Sequence, residues 1–409
     1  MRYIQPEVLN CLNKERKMAF VCGPRQVGKT TLSCHILEIE GAPQGYFNLD
    51  IEKDRKEILK GKEDFWRARL KEVSHPCLVL DEIHKYPRWK KFLKGLFDAA
   101  HKEVRILVTG SGRLNVYQRG GDSLFGRYHL FRMMPLTVGE ILRAGLDMAG
   151  PEEALRFLLD TSDLGKTKEA HAAFEHLFQF NGFPEPFYSG TSKTLVRWRR
   201  EHRELILRED LRDLTRIRDI GLIDALVGLL PERIGSPLSL NALREDLDVA
   251  FNTVKHWIKT LEFLYYLFEI RPFGGKLART LKKEAKIYLF DTSVIESEGA
   301  RFENILALHL LKACYAWSDF GFGDYSLHYV RDKEKRETDF LVIENGKPWL
   351  LVESKLSSRE PDHSLEYFHK ALKPKHTFQV VRSLKAGDLY RAGENIYVSA
   401  PARFLSCLP

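Results

Sequence analysis

The sequence predicts an α/β protein that opens with a parallel sheet carrying helices on both faces. Three observations predict it. Short apolar runs alternate with helical stretches over residues 1 to 140, as a parallel sheet requires, because each crossover between parallel strands needs a long connection. The first apolar run leads through a glycine-rich loop into a helix, the order that cradles a phosphate chain. Beyond about residue 145 the alternation gives way to charged helical sequence and then to a second mixed region.

The first strand is the run Met18–Cys22, and Thr31–Ile39 reads as the first helix. Between them, Gly23 to Thr30 ("GPRQVGKT") has the spacing G-x-x-x-x-G-K-[ST]. Gly23 and Gly28 let the backbone curl so that successive N–H groups point inward. The expected nucleotide-binding set is Gly23, Pro24, Arg25, Gln26, Val27, Gly28, Lys29, Thr30 and Thr31. Lys29 reaches the β- and γ-phosphates, the Thr30 hydroxyl can ligate Mg²⁺, and the helix adds its positive N-terminal end. Further strands follow at "GYFNLD" (45–50), "CLVLDEI" (77–83), "RILVTGS" (105–111) and "RYHLFRM" (127–133). The "CLVLDEI" run ends in adjacent carboxylates, which suits a division of labour: Asp81 in the Mg²⁺ shell and Glu82 polarising the attacking water. The "TGS" run places Ser111, or alternatively Thr109, where a hydroxyl positions the γ-phosphate or the water. Arg127 in "LFGRY" is the candidate for stabilising transition-state charge, in cis or on a neighbouring subunit's nucleotide, with Arg113 and Arg119 as competitors.

At 409 residues the chain exceeds one ordinary core. Its 64 basic against 56 acidic residues, net +8, permit contact with a polyanion without demanding it. Six cysteines contain no C-x-x-C pair and no zinc spacing, so reduced thiols are expected. The N-terminal stretch carries charges where a signal peptide is apolar, and no run approaches the roughly 20 apolar residues of a membrane span. A soluble, cytoplasmic protein is the expectation.

"GPRQVGKTTL", "LVLDEIHKYPRWKKFLK", "VTGSGRLNVY" and "GRYHLFRMMPLTVGEIL" together resemble the AAA-superfamily ATPases of bacteria and archaea that carry a C-terminal domain of unknown function. "NGFPEPF", "KIYLFDTSV" and "ETDFLVIENGKPWLLVESK" look like successive blocks of that C-terminal half. The resemblance implies a P-loop NTPase sheet, ATP as ligand and homo-oligomers, commonly rings, and leaves the biological task open. The expected organisation is an AAA-type ATPase domain over 1–140, a helical region over 141–235, a winged helix over 236–295 and an α/β nuclease-like domain over 296–409.

In the third segment, "SLNALREDL" and a second helix capped by Asn252 or Thr253 read as a helix-turn-helix. Val254, Trp257, Ile258, Leu261 and Leu264 face inward, and Thr253, Lys255, His256 and Lys259 are left for a groove or phosphates. The hairpin that follows carries Lys276, Arg279, Lys282, Lys283 and Lys286 as a basic wing. In the last segment, Glu303 on an amphipathic helix, Asp339 at a strand start, and Glu353 with Lys355 are ordered as in the restriction-endonuclease-like fold. Strand alternation puts Glu353 and Lys355 on one face. Glu303, Asp339 and Glu353 are thus candidate Mg²⁺ ligands, and Lys355 steadies the nucleophilic water. The expected function is an ATP-hydrolysing motor acting on duplex or branched DNA. The rival is a nucleotide switch whose C-terminal half binds a protein partner.

Overall fold

Short apolar runs bounded by loop residues suit strands covered on both sides, and β1 (Met18–Cys22) and β3 (Cys77–Asp81, apolar up to its terminal aspartate) are buried throughout. The structure is a computed structural model that describes residues 2–60, 62–110, 124–143, 150–159, 167–211, 220–274 and 284–409. The described residues up to Met134 form one compact unit and those from Pro135 onward a second. No helix among them is long and apolar enough to cross a membrane.

In the first unit β1, β2 (Tyr46–Asn48), β3, β4 (Arg105–Gly110) and β5 (Tyr128–Arg132) lie in the order β2-β3-β4-β1-β5, every neighbouring pair parallel. The α/β fold class expected from the alternation is the one observed. The first helix begins at Lys29, two residues earlier than expected, because Gly28 at φ +100° supplies its N-cap. The chain leaves β1 outward to β2, comes back through β3 and β4, and crosses to β5 on β1's other side. The strand order therefore reverses beside β1, where α/β sheets open a crevice at the carboxyl ends of their strands. The registers Val21↔Thr109 and Asp81↔Thr109 bring the ends of β1, β3 and β4 level there.

The second unit begins with helices, including Val138–Arg143, Thr167–Phe180 and Ser192–Glu204. The pair Leu240–Asp246 and Phe251–Phe263 follows. In the latter helix Val254, Trp257, Ile258, Leu261 and the adjoining Leu264 are buried as expected. Its N-cap, however, is Ala250, whose side chain makes no capping bond; Asn252 and Thr253 fall in the first turn instead of capping it. An eight-stranded sheet comes next. It comprises β6 (Leu267–Pro272), β7 (Lys286–Leu289), β8 (Tyr325–Arg331), β9 (Glu337–Glu344), β10 (Lys347–Lys355), β11 (His376–Val381), β12 (Leu389–Gly393) and β13 (Ile396–Ser399). Its order is β12-β13-β11-β10-β9-β8-β6-β7. β9 and β10 form an antiparallel hairpin through Asn345 and Gly346, at φ +48° and +81°, values that suit the Asn-Gly pair. Leu341, Ile343 and Leu351 pack with Leu365 and Phe368 of the helix His363–Leu372.

The helix Glu298–Asp319 departs from the amphipathic expectation, since every residue from Asn304 to Cys314 is buried. Its two charge-bearing interior side chains are matched locally. Lys312 donates to the Pro135 carbonyl (3.1 Å) and the Thr137 hydroxyl (2.9 Å), and pairs with the Glu140 carboxylate. His309 Nδ1 donates to the Ile305 carbonyl (2.8 Å), and its Nε2 accepts from the Val138 N–H (3.2 Å). Both ring nitrogens are thereby used in the neutral form. Burial pushes the imidazole pKa from 6.5 down to about 3. A depressed folded pKa contributes stability that is complete above the unfolded value and is lost as pH falls from 6.5 toward 3. Between pH 7 and pH 5 the loss amounts to about 2 kcal/mol. Urea denaturation of His309→Gln at both pH values should show that part of the acid destabilisation removed; an unchanged pH dependence would contradict it.

Candidate functional site

At the C-terminal end of β1 the chain makes a turn that only glycine permits. Gly23 has φ +154°, and a Cβ there would lie 2.1 Å from the Met133 carbonyl oxygen. Gln26 and Gly28 are also left-handed. Pro24 and Val27 are buried, Arg25 is half-buried, and Thr30 and Thr31 are exposed. The loop closes around Lys29, whose ammonium donates to the carbonyls of Gly23 (2.9 Å) and Pro24 (2.6 Å). Burial lowers the Lys29 pKa, and Glu82 and Asp81 oppose that shift.

Asp81 is the hub of the site. Its Oδ2 accepts from the Thr30 hydroxyl at 3.0 Å and from the Tyr46 hydroxyl at 2.6 Å. Its Oδ1 accepts from the Thr109 hydroxyl and from the Glu82 N–H, the latter at 3.1 Å. Thr109, the alternative to Ser111 for touching phosphate, therefore serves Asp81; Ser111, Arg113 and Arg119 lie outside the described residues. Glu82 sits at φ +55°, with its N–H also directed at the Thr109 carbonyl (3.1 Å). Burial raises its pKa, Lys29 pulls it back, and His84 Nε2 lies 3.3 Å from its carboxylate. Arg127 is held elsewhere, by a two-point pair with Asp98 at 2.7 and 3.2 Å.

Tyr46 escaped the sequence reading. The usable signal was strand pairing: Asn48 is level with Asp81 and Tyr46 with Val79, so Tyr46 shares a face with Asn48 two residues on. Lys29, Thr30 and Asp81 together offer an ammonium, a hydroxyl and a carboxylate at the mouth of a glycine-lined loop. This donor set suits a nucleotide's phosphates and the Mg²⁺ bound to them.

In the second unit, Glu303 and Asp339 are brought together around a residue assigned elsewhere, and Glu353 joins them through the Asp339 N–H. Lys286 was expected on the wing, facing phosphates. It is 1% exposed, and its ammonium stands 2.7 Å from Glu337, 3.3 Å from Glu303 and 3.4 Å from Asp339. The cause is the two-residue period of β7: Lys286 and Tyr288 share a face, and the Tyr288 hydroxyl also donates to Glu303, at 2.7 Å. Burial raises the pKa of Glu303 to about 7 and that of Glu353 well above the usual carboxylate range. Lys355 meets Glu353 at 2.8 Å and Asp362 at 2.9 Å. Among the described residues no three His, Cys, Asp or Glu side chains are set to hold one metal ion. Lys276, Arg279, Lys282 and Lys283 lie outside the described residues. Lys259 is paired with Glu262 and Glu269 at 2.7 and 2.8 Å, whereas Lys255 and His256 are exposed.

Residues 15–142 match the family model of an AAA domain. Residues 171–298 and 298–402 match two domains of unknown function, DUF8612 and DUF4143. An uncharacterized protein of Mycobacterium tuberculosis is 22% identical over 339 residues, covering 81% of this chain and 69% of its own. One from Methanocaldococcus jannaschii is 25% identical over 390 residues, covering 87% and 79%. Among solved structures, the RuvB Holliday junction branch migration motor of Thermotoga maritima is 16% identical with a TM-score of 0.28, over 69% of this chain and 94% of that one. AMPPCP-bound DnaA from Aquifex aeolicus is 15% identical with a TM-score of 0.27, over 63% and 86%. Both are loose likenesses. The first unit has a P-loop NTPase fold, a five-stranded parallel sheet with the glycine loop at the end of β1.

Tyr46→Phe removes one of the two donors to Asp81 Oδ2 while keeping the ring. A partner that orients a metal-binding carboxylate commonly changes metal affinity by about 10-fold or more. If Asp81 holds Mg²⁺ for ATP hydrolysis, the Mg²⁺ concentration giving half-maximal activity should rise by about that factor, and an unchanged requirement would reduce Tyr46 to a packing role.

Proposed function

We propose that this chain is a Mg²⁺-dependent ATPase whose C-terminal half applies the nucleotide cycle to DNA. The observation that carries the first part is the Asp81 hub beside the loop: one carboxylate joins Thr30, Tyr46 and Thr109 next to Lys29 and Glu82. Incoming phosphates would take the Lys29 ammonium from the Gly23 and Pro24 carbonyls, an exchange that leaves no charge unmatched. Thr30 and Asp81 would hold Mg²⁺, which supplies neutralisation of the phosphate charge when bound. Glu82, kept more basic than an ordinary glutamate by its burial, orients the attacking water and accepts its proton.

The reading of the C-terminal half rests on architecture. Residues 236–295 hold two helices and a hairpin, in keeping with a winged helix. Over 296–409 the order long helix, β8, β9, β10, helix, β11 is in keeping with a restriction-endonuclease-like fold. Domain limits at 140, 235 and 295, assembly into a ring and a cytoplasmic location belong to the same proposal. The engagement of Lys259 and Lys286 in ion pairs favours the second reading, a nucleotide switch that binds a protein partner, because it removes two of the expected phosphate contacts. ATPase rates measured with duplex, branched and single-stranded DNA separate the two: stimulation supports action on DNA, and indifference to all three supports the switch.

Two substitutions test the assignments in the loop. Lys29→Ala should weaken nucleotide binding, because the ammonium meets phosphate in the ground state. Glu82→Gln should retain binding and lower kcat by about 100-fold or more; turnover near the wild-type rate would end Glu82's role. Arg127 can reach another copy's nucleotide only by giving up Asp98. If it does so, Arg127→Ala mixed with Lys29→Ala protein should recover part of the lost hydrolysis, while no recovery leaves Arg127 a role in cis or in its structural pair.

A further inference from the structure

A metal-dependent nuclease needs carboxylate oxygens free to meet a divalent cation. Mg²⁺ takes oxygens at about 2.0–2.1 Å in near-octahedral array, so each ligand oxygen must be open toward one point. The oxygens here face otherwise. Asp339 Oδ2 accepts from the Ser354 N–H at 3.0 Å and the Ser354 hydroxyl at 2.6 Å. Glu353 Oε1 meets Lys355, and its Oε2 accepts from the Asp339 N–H at 3.2 Å. The remaining centre, shared by Glu303, Glu337 and Asp339, is filled by the Lys286 ammonium, which meets Glu337 at 2.7 Å, the length of a charge-assisted N–H···O bond, and pairs with Glu303 and Asp339 at the longer distances of 3.3 and 3.4 Å.

The surroundings close the same space. Glu337 Oε2 takes a bond from Arg331 at 3.2 Å. Gly235, at φ +79°, lies so close that a Cβ there would fall 2.7 Å from Glu303 Oε2. The Lys286 ammonium also sits 5.6 Å from the centre of the Tyr329 ring, whose hydroxyl is bound to the Glu284 carbonyl at 2.7 Å.

We propose that Lys286 is the resident cation of this carboxylate cluster, so that the cluster holds no divalent metal and clasps β7 onto the sheet instead of cutting a phosphodiester. The inference rests on the nuclease-like reading of residues 296–409 only for the metal chemistry it replaces. The geometry of the ammonium is independent of it. With Lys286 present, three carboxylates share one positive charge at hydrogen-bonding range; without it they face one another unneutralised, and a divalent ion becomes the natural replacement.

Mn²⁺ binding to the full-length, nucleotide-free protein tests this, read by electron paramagnetic resonance of the free ion. Wild type and Asp339→Asn should bind Mn²⁺ equally. Lys286→Met should gain about one additional Mn²⁺ per chain, and Lys286→Met/Asp339→Asn should lose it. A Mn²⁺ site in wild type that Asp339→Asn removes, or Asp339-dependent cleavage of DNA by wild type with Mn²⁺, would overturn the proposal, and so would a folded Lys286→Met chain with no added site. Should Lys286→Met fail to fold, the comparison of wild type with Asp339→Asn decides alone. ATP hydrolysis followed on the same wild-type samples reports on the ATPase reading separately, since its absence would leave the Mn²⁺ result standing.

Discussion

A charge removed from water must be met by a partner or it destabilises the fold by several kcal/mol, and this constraint shapes each site described. Lys29, Asp81, Lys286 and Lys312 are all below a tenth exposed. Asp81 is surrounded by hydroxyl and amide donors, and Lys312 by a carbonyl, a hydroxyl and one carboxylate. Each arrangement fixes several segments at once. Asp81 ties the end of β3 to the first helix, to β2 and to β4, while Lys312 ties the long buried helix to the stretch from Pro135 to Glu140.

The chemistry of the partner decides whether a buried ammonium can change its company. Lys29 is held by two backbone carbonyls, which are neutral, so on the proposed reading an arriving phosphate would offer a stronger interaction and displace them. Lys286 is held by three carboxylates. Taking one side of such an assembly away leaves uncompensated charge at a cost of about 3–5 kcal/mol. One lysine is therefore poised for exchange and the other for permanence, although both are buried and both belong to α/β architecture.

Most of the first unit was legible in the sequence. The five strands fall where apolar runs meet loop residues, and the loop is recognisable because its glycines are demanded by backbone geometry. What sequence spacing leaves out is contact across the sheet. Tyr46 becomes a partner of Asp81 only through the pairing of β2 with β3, and Thr109 turns toward Asp81 for the same reason. In the second unit, Glu303, Asp339, Glu353 and Lys355 were singled out because a helix glutamate, then an aspartate, then Glu-x-Lys follow the order of the restriction-endonuclease-like fold, and the structure brings Glu303, Asp339 and Glu353 near one another and pairs Lys355 with Glu353. Lys286 was misplaced because a lysine in a run of lysines reads as solvated. Its alternation with Tyr288 on β7, the one feature that argues for burial, is too short to outweigh the surrounding charge. The long helix shows the same limit, since Lys312 and His309 suggest a polar face that tertiary partners erase.

The pairing of β6 with β8 has a consequence for how the chain can be divided. Arg271 and Pro272 lie level with His328 and Tyr329, and the Phe273 N–H donates to the Tyr329 carbonyl at 2.7 Å. The hairpin thus completes the sheet from outside the last segment. A fragment beginning near residue 296 would keep β8 through β13 and leave β8's backbone groups unpaired along that edge, a template for adding strands from other molecules. The same cut would delete Lys286 and leave its carboxylates crowded together. Limited proteolysis and recombinant truncation should therefore respect the β6–β7 hairpin as part of the C-terminal folding unit, and fragments that separate it should be prone to self-association.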